Sequence, residues 1–235
     1  MKKIFNLALG IVTSIGGFAE VGSIPTSVQA VAEFRFSLLW AVAAATLFVA
    51  ALAEMAGRMA AVSKRPLAAA VRECFGFHFQ IIPLSAELGT DMLLLTAELG
   101  GVAIAIKMLT GIGFQWWILP VGLVAWLLLW LGNFSVIEDG VGSKQDLGIN
   151  RLTAWLGMGF GSTVAMGCLI TAAVVLGPQH VKVDTYEQAA LMFVPVYGRW
   201  AVTLFALSLG IGCFGAAVEI ALNSGYVLGQ ALGWT

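Results

Sequence analysis

Apolar residues along this chain come in long runs separated by short polar stretches. Six runs are long enough for the roughly 20 apolar residues that a bilayer-crossing helix needs; they lie near 6–30, 37–62, 80–109, 115–134, 153–177 and 198–230. The polar stretches between them are Glu33-Phe34-Arg35, Ser63 to Phe77, Thr110 to Phe114, Asn133 to Asn150 and Gly177 to Tyr197, and all are predicted as connections. The pattern predicts an all-α membrane protein of about six transmembrane helices in one integral membrane domain, residues 1–235.

Composition strengthens that reading. The chain is 60% hydrophobic and only 11% charged, against about 25% charged in a soluble domain. The net charge of −1 says nothing about partners, but no basic cluster large enough for nucleic acid occurs, and the expected partner is the lipid bilayer. Cys74, Cys168 and Cys213 are odd in number and far apart, so they read as small buried hydrophobes and not as a disulfide framework or metal knuckle. The start, Met1-Lys2-Lys3 and then apolar residues, has the look of a signal peptide, but it lacks a clean cleavage site and contains Glu20, so it reads as a first membrane helix.

The basic residues sort by side. With the N-terminus inside, Lys2, Lys3, Arg58, Lys64, Arg65, Arg72, Lys144 and Arg151 fall on the cytoplasmic side, and Arg35, Lys107, Lys182 and Arg199 outside. That bias predicts both termini in the cytoplasm; the expected location is the inner (plasma) membrane of a bacterium. Trp40, Trp116, Trp117 and Trp155 sit at span starts, where interfacial tryptophans belong. Gly157, Gly159 and Gly161 in the fifth span and Gly210, Gly212 and Gly215 in the sixth predict close helix packing.

Charges inside the spans carry the candidate chemistry. A charge at mid-membrane depth costs about 2.5–3.5 kcal/mol on insertion scales, so it is expected to serve a purpose. Glu20 lies in the first span beside Gly22, Ser23 and Pro25. A glycine and a proline there free backbone carbonyls, and carbonyls, hydroxyls and a carboxylate together make an oxygen-rich cation site on a broken helix. In the third span, Glu87, Asp91 and Glu98 are spaced by four and seven, which puts them on one helical face that must avoid lipid and can serve as a proton or cation path. Glu219 in the last span fits either a polar helix–helix contact or that path. Glu54 and Arg58, one turn apart, predict an intrahelical pair. No Ser-His-Asp arrangement and no His pair at metal-site spacing occurs, so an enzyme is not expected.

The segment Gly17 to Ala30, followed by Glu33-Phe34-Arg35-Phe36-Ser37-Leu38-Leu39-Trp40, resembles the first helix of the Nramp family of divalent metal transporters, with its Asp-Pro-Gly-Asn motif, Gln-Ala and Phe-x-x-x-Leu-Leu-Trp. Glu20 falls on the family's metal-binding Asp, Val21 on its Pro, Gly22 on its Gly and Ser23 on its Asn. Residues 53–59 resemble the end of the second helix, Thr96-Ala97-Glu98-Leu99-Gly100 the acidic motif of the third, and Ile137-Glu138 the end of the fourth. Residues 150–235 resemble the seventh and eighth helices; the fifth and sixth, with a Met-Pro-His motif, have no counterpart. The resemblance implies a partial inverted-repeat fold of the leucine-transporter type with a broken first helix. It implies that Glu20 and Ser23 hold the metal, that Gly22 and Pro25 make the break, and that Glu98, with Asp91 and Glu219, lies on a proton or ion path. The cargo implied is Mn, Fe or Mg, with protons as co-substrate. All-oxygen ligation would favour Mg²⁺ or Mn²⁺ over softer metals. Self-association or a partner subunit that completes the site, and a non-transporting remnant or assembly subunit, stand as alternatives.

Overall fold

A computed structural model of the chain describes residues 35–63, 67–131, 147–175 and 185–232. Among them every regular element is helical. A 3₁₀ turn, Arg35–Leu38, leads into α1 (Leu39–Ser63). Then come α2 (Leu67–Phe75), α3 (Phe77–Thr110), α4 (Gln115–Leu131), α5 (Leu147–Val175), α6 (Tyr186–Ala190), α7 (Val194–Tyr197) and α8 (Ala201–Leu232). Among the described residues four stretches are long and apolar enough to cross a membrane: Phe36–Ser63, Phe77–Thr110, Met158–Val175 and Tyr186–Leu232. Gln115–Leu131 is a shorter apolar helix. These match the second to sixth predicted spans. The first, with Glu20, Gly22, Ser23 and Pro25, lies outside the described residues.

The protein is thus an all-α membrane protein. Its exposed surface is that of a lipid-facing molecule: Trp40, Leu93, Trp116, Leu119, Trp130 and Ile211 are each more than 70% exposed. In water such a surface would mark aggregation or a partner; in a bilayer it meets acyl chains. With 34 residues, α3 is about 51 Å long at 1.5 Å per residue. That exceeds the hydrocarbon thickness of about 30 Å, so it tilts or projects into the interface.

Two joints need backbone conformations that only glycine takes at little cost. Gly76, at φ 85°, turns the chain from α2 into α3. Gly111, at φ 77°, ends α3 in the left-handed conformation, and its N–H returns to the Lys107 carbonyl.

Two of the predicted connections are folded. Between Ser63 and Phe77 the apolar run Leu67-Ala68-Ala69-Ala70-Val71 forms α2, pinned by Arg72, whose Nη1 donates to the Ala231 carbonyl at 3.1 Å. Between Gly177 and Tyr197 a capping box starts α6: Thr185 Oγ1 accepts from the Gln188 N–H, and the Gln188 side chain accepts from the Thr185 N–H. Ala189, Ala190 and Met192 in this segment are fully buried against the ends of the long helices. The cysteine reading holds in part. Cys213 is buried and Cys168 half-buried, but Cys74 is exposed, because it falls on the outer side of amphipathic α2.

The long helices associate as two pairs. α3 and α8 pack along most of their length, α1 packs on α5, and α4 lies against α3. Leu169 and Ala172 of α5 reach the core formed by Val102, Ala105, Phe205, Leu209 and Met192.

Candidate functional site: the seam between α3 and α8

The seam starts from small side chains. Gly101, Ala103 and Ala105 of α3, with Ala206, Ala216 and Ala217 of α8, are buried and let the two backbones come close. A Cβ on Gly210 would stand 3.2 Å from the Ala105 Cβ, so even a methyl group there would force its neighbour to give way by a few tenths of an ångström. Closeness of this kind excludes lipid, and it is what makes polar groups tolerable in the seam.

From the N-terminal half of α3 onward the seam carries three polar clusters. In the first, Asp91, 9% exposed, accepts from Ser224 Oγ at 2.8 Å and from Asn223 Nδ2 at 3.3 Å. The same amide approaches Glu87 Oε1 at 3.5 Å. Glu87 itself is exposed. About two turns further along α3, Glu98 is 1% exposed and stands beside Cys213 of α8, whose thiol hydrogen-bonds with it. Tyr186, at the start of α6, lies within electrostatic range of both. At the C-terminal end of α3 Lys107 Nζ meets Glu187 Oε1 at 3.0 Å, tying α3 to α6.

The structure therefore brings Glu87 and Asp91 together through Asn223. It places Glu98 separately, deeper in the seam, and leaves Glu219 on an exposed part of α8, one turn before Asn223. Glu54 does pair with Arg58, at 2.6 Å, and it also takes Trp155 Nε1 at 2.9 Å and Arg151 Nε at 3.5 Å from α5. Sequence reasoning missed Ser224, Asn223, Cys213 and Tyr186. None lies on α3: Cys213, Asn223 and Ser224 are on α8 and Tyr186 on α6, and spacing within one helix says nothing of what faces it. Among the described residues no group of three or more His, Cys, Asp or Glu side chains could hold a metal ion.

The sequence profile of the family described as natural resistance-associated macrophage protein-like, Nramp, matches residues 10–143 and 139–235. The chain is 28% identical over 127 residues to the divalent metal cation transporter MntH of Deinococcus radiodurans, covering 52% of this chain and 28% of that protein. It is 30% identical over 128 residues to proteins of the same name from Listeria welshimeri and Listeria monocytogenes, again covering 52% of this chain and 28% of theirs.

Proposed function

The chain belongs to the Nramp family, and from that premise we propose that it carries divalent metal cations across the membrane, coupled to protons. The relatives' shared name, divalent metal cation transporter, supports the cargo class. The observation that carries the reading is Glu98: a carboxyl buried to 1% exposure inside a long apolar helix. A side chain of this kind is costly to keep in a membrane and ordinarily serves ion or proton movement.

In this reading the acids divide the work. Glu20 and Ser23 of the first span hold the metal, with carbonyls freed at Gly22 and Pro25. Glu98 passes the proton. Asp91, held by Ser224 and Asn223, braces the inner half of the seam, and Glu87 and Glu219 stand at its exposed margin. The cargo is Mn²⁺, Fe²⁺ or Mg²⁺, and the protein is a carrier, not an enzyme. A second reading, an assembly subunit whose site is completed by another copy or another chain, draws on the two-part family match, whose pieces meet at residues 139–143.

Uptake of Mn²⁺ into vesicles holding the purified full chain tests the proposal. Wild type should accumulate the ion, faster under an inward proton gradient. Glu98→Gln should lose the response to the gradient and keep Mn²⁺ binding. Uptake that is indifferent to Glu98→Gln would make Glu98 structural. No uptake from wild type, with uptake restored by a co-reconstituted partner, would favour the subunit reading.

A further inference from the structure

Outside the seam, one charged cluster is not absorbed by the transport reading. It lies where α1 and α5 meet at their basic ends. Glu54 Oε1 accepts from Arg58 Nη2 at 2.6 Å and lies 3.5 Å from Arg151 Nε; Glu54 Oε2 accepts from Trp155 Nε1 at 2.9 Å. Both oxygens of one carboxylate are thus engaged, and its side chain is only 14% exposed. The two guanidiniums touch the same oxygen, so they are neighbours. Their side chains are 63% and 67% exposed.

We propose that Arg58 and Arg151, held side by side by Glu54, form a site for the phosphate of an anionic phospholipid. One carboxylate cannot neutralise two guanidiniums, so the cluster keeps a net positive charge. Each guanidinium carries five N–H donors in a planar fork suited to phosphate, and the contact to Glu54 engages one nitrogen of each. Glu54 supplies the pre-organisation: without it two flexible cations would repel each other.

The surroundings select a lipid over a free anion. Leu52 and Met55 of α1 are 63% and 65% exposed, and Leu152 and Leu156 of α5 are each 47% exposed. They flank the arginines on both helices and offer acyl chains an apolar wall. Trp155, 39% exposed, places an amphipathic ring beside the head-group position, as aromatic residues do at membrane interfaces. The charge bias of the chain assigns this end to the cytoplasmic leaflet, where anionic lipids attract basic clusters. A lipid seated here would touch α1 and α5 at once and hold their ends together.

Native mass spectrometry of the full chain, purified in mild detergent, reads the site directly when phosphatidylglycerol or phosphatidylcholine with the same acyl chains is added. Wild type should retain phosphatidylglycerol preferentially. The double variant Arg58→Gln/Arg151→Gln should retain about tenfold less, since two charge-assisted contacts are lost. Arg151→Gln alone, which leaves the Glu54–Arg58 pair in place, should show an intermediate loss and provides the test if the double variant does not fold. Arg151→Lys should retain more than Arg151→Gln, because the charge stays while the fork is lost. Unchanged phosphatidylglycerol preference in the glutamine variants would overturn the proposal. So would inorganic phosphate displacing the lipid at comparable concentration, which would make this a free-anion site.

Discussion

The two helix pairs are built on different principles. α3 and α8 meet through small and apolar residues, with the carboxyls of Asp91 and Glu98 trapped between them; α3 buries seven residues and α8 eight. α1 buries one residue, Ala50. That helix is fastened to α5 by polar bonds: Ser162 Oγ donates to Thr46 Oγ1, which itself donates to the Val42 carbonyl, and Glu54 takes Arg151 and Trp155. In a bilayer, apolar area gives helices little reason to associate, because lipid is as apolar as they are. Association then rests on close approach or on hydrogen bonds. One pair uses chiefly the first and the other the second. A seam fixed by close packing suits a frame that holds Glu98 in place. A pair joined by a few polar contacts can separate or slide at lower cost.

The sharpest way to break the comparison is to add a side chain at one glycine of each pair. Gly210→Leu in α8 must push a side chain into a space where even a Cβ stands 3.2 Å from Ala105. Overpacking of this kind costs about 1–3 kcal/mol. Gly159→Ala in α5, where a Cβ meets nothing within 4 Å, should be neutral or stabilising by up to about 1 kcal/mol through helix propensity. Thermal unfolding of both variants in the same detergent checks the difference. Equal effects would mean that the α3–α8 seam is no tighter than the other pair.

Removing one hydrogen bond from each pair sharpens the same contrast. Ser224→Ala removes a donor to Asp91 and Thr46→Val removes the contact to Ser162. Interhelical hydrogen bonds in membranes average about 0.6 kcal/mol, so the losses in stability should be similar. Their consequences should differ. Ser224→Ala leaves the packed seam in place. Thr46→Val loosens a pair with little else to hold it, and it should raise amide exchange in α1 near Thr46. Exchange rising equally in α8 around Ser224 would count against the distinction.

Much of the fold was readable in the sequence, because long apolar runs have one stable answer in lipid, the helix. The runs at 37–62 and 80–109 became α1 and α3 with ends shifted by up to three residues. What failed was the treatment of connections as polar linkers. Thr185 and Gln188 stand three apart as a capping box does, and Leu67 to Val71 is an apolar run too short to span, so both folded segments left a signal that a search for spans ignores. For the acids, spacing placed Asp91 and Glu98 on a common face of α3, but their partners come from α8 and α6. Which element lies opposite is decided by where Gly210 and the alanines let the backbones meet, and periodicity within one helix carries no such information.

The smallest effect is expected where the seam reaches the C-terminal end of α3. Lys107 and Glu187 meet at 3.0 Å, but their side chains are 42% and 40% exposed, so water screens the pair. Exposed ion pairs contribute about 0.2–1 kcal/mol, and this one should lie in that range. Its role is to fasten α6 to the end of α3, over the part of the seam where Tyr186 approaches Glu98. A double-mutant cycle with Lys107→Gln and Glu187→Gln, read by thermal unfolding, isolates the pair. The coupling should shrink as salt is raised from 0.01 to 1 M, because the screening length falls from about 30 Å to about 3 Å. The same cycle applied to Glu54 and Arg151 should leave more coupling at high salt, since Glu54 is only 14% exposed. A Lys107–Glu187 coupling well above 1 kcal/mol that ignores salt would show that α6 is locked onto α3 as firmly as α8 is, and the frame would then include the outer segment as well.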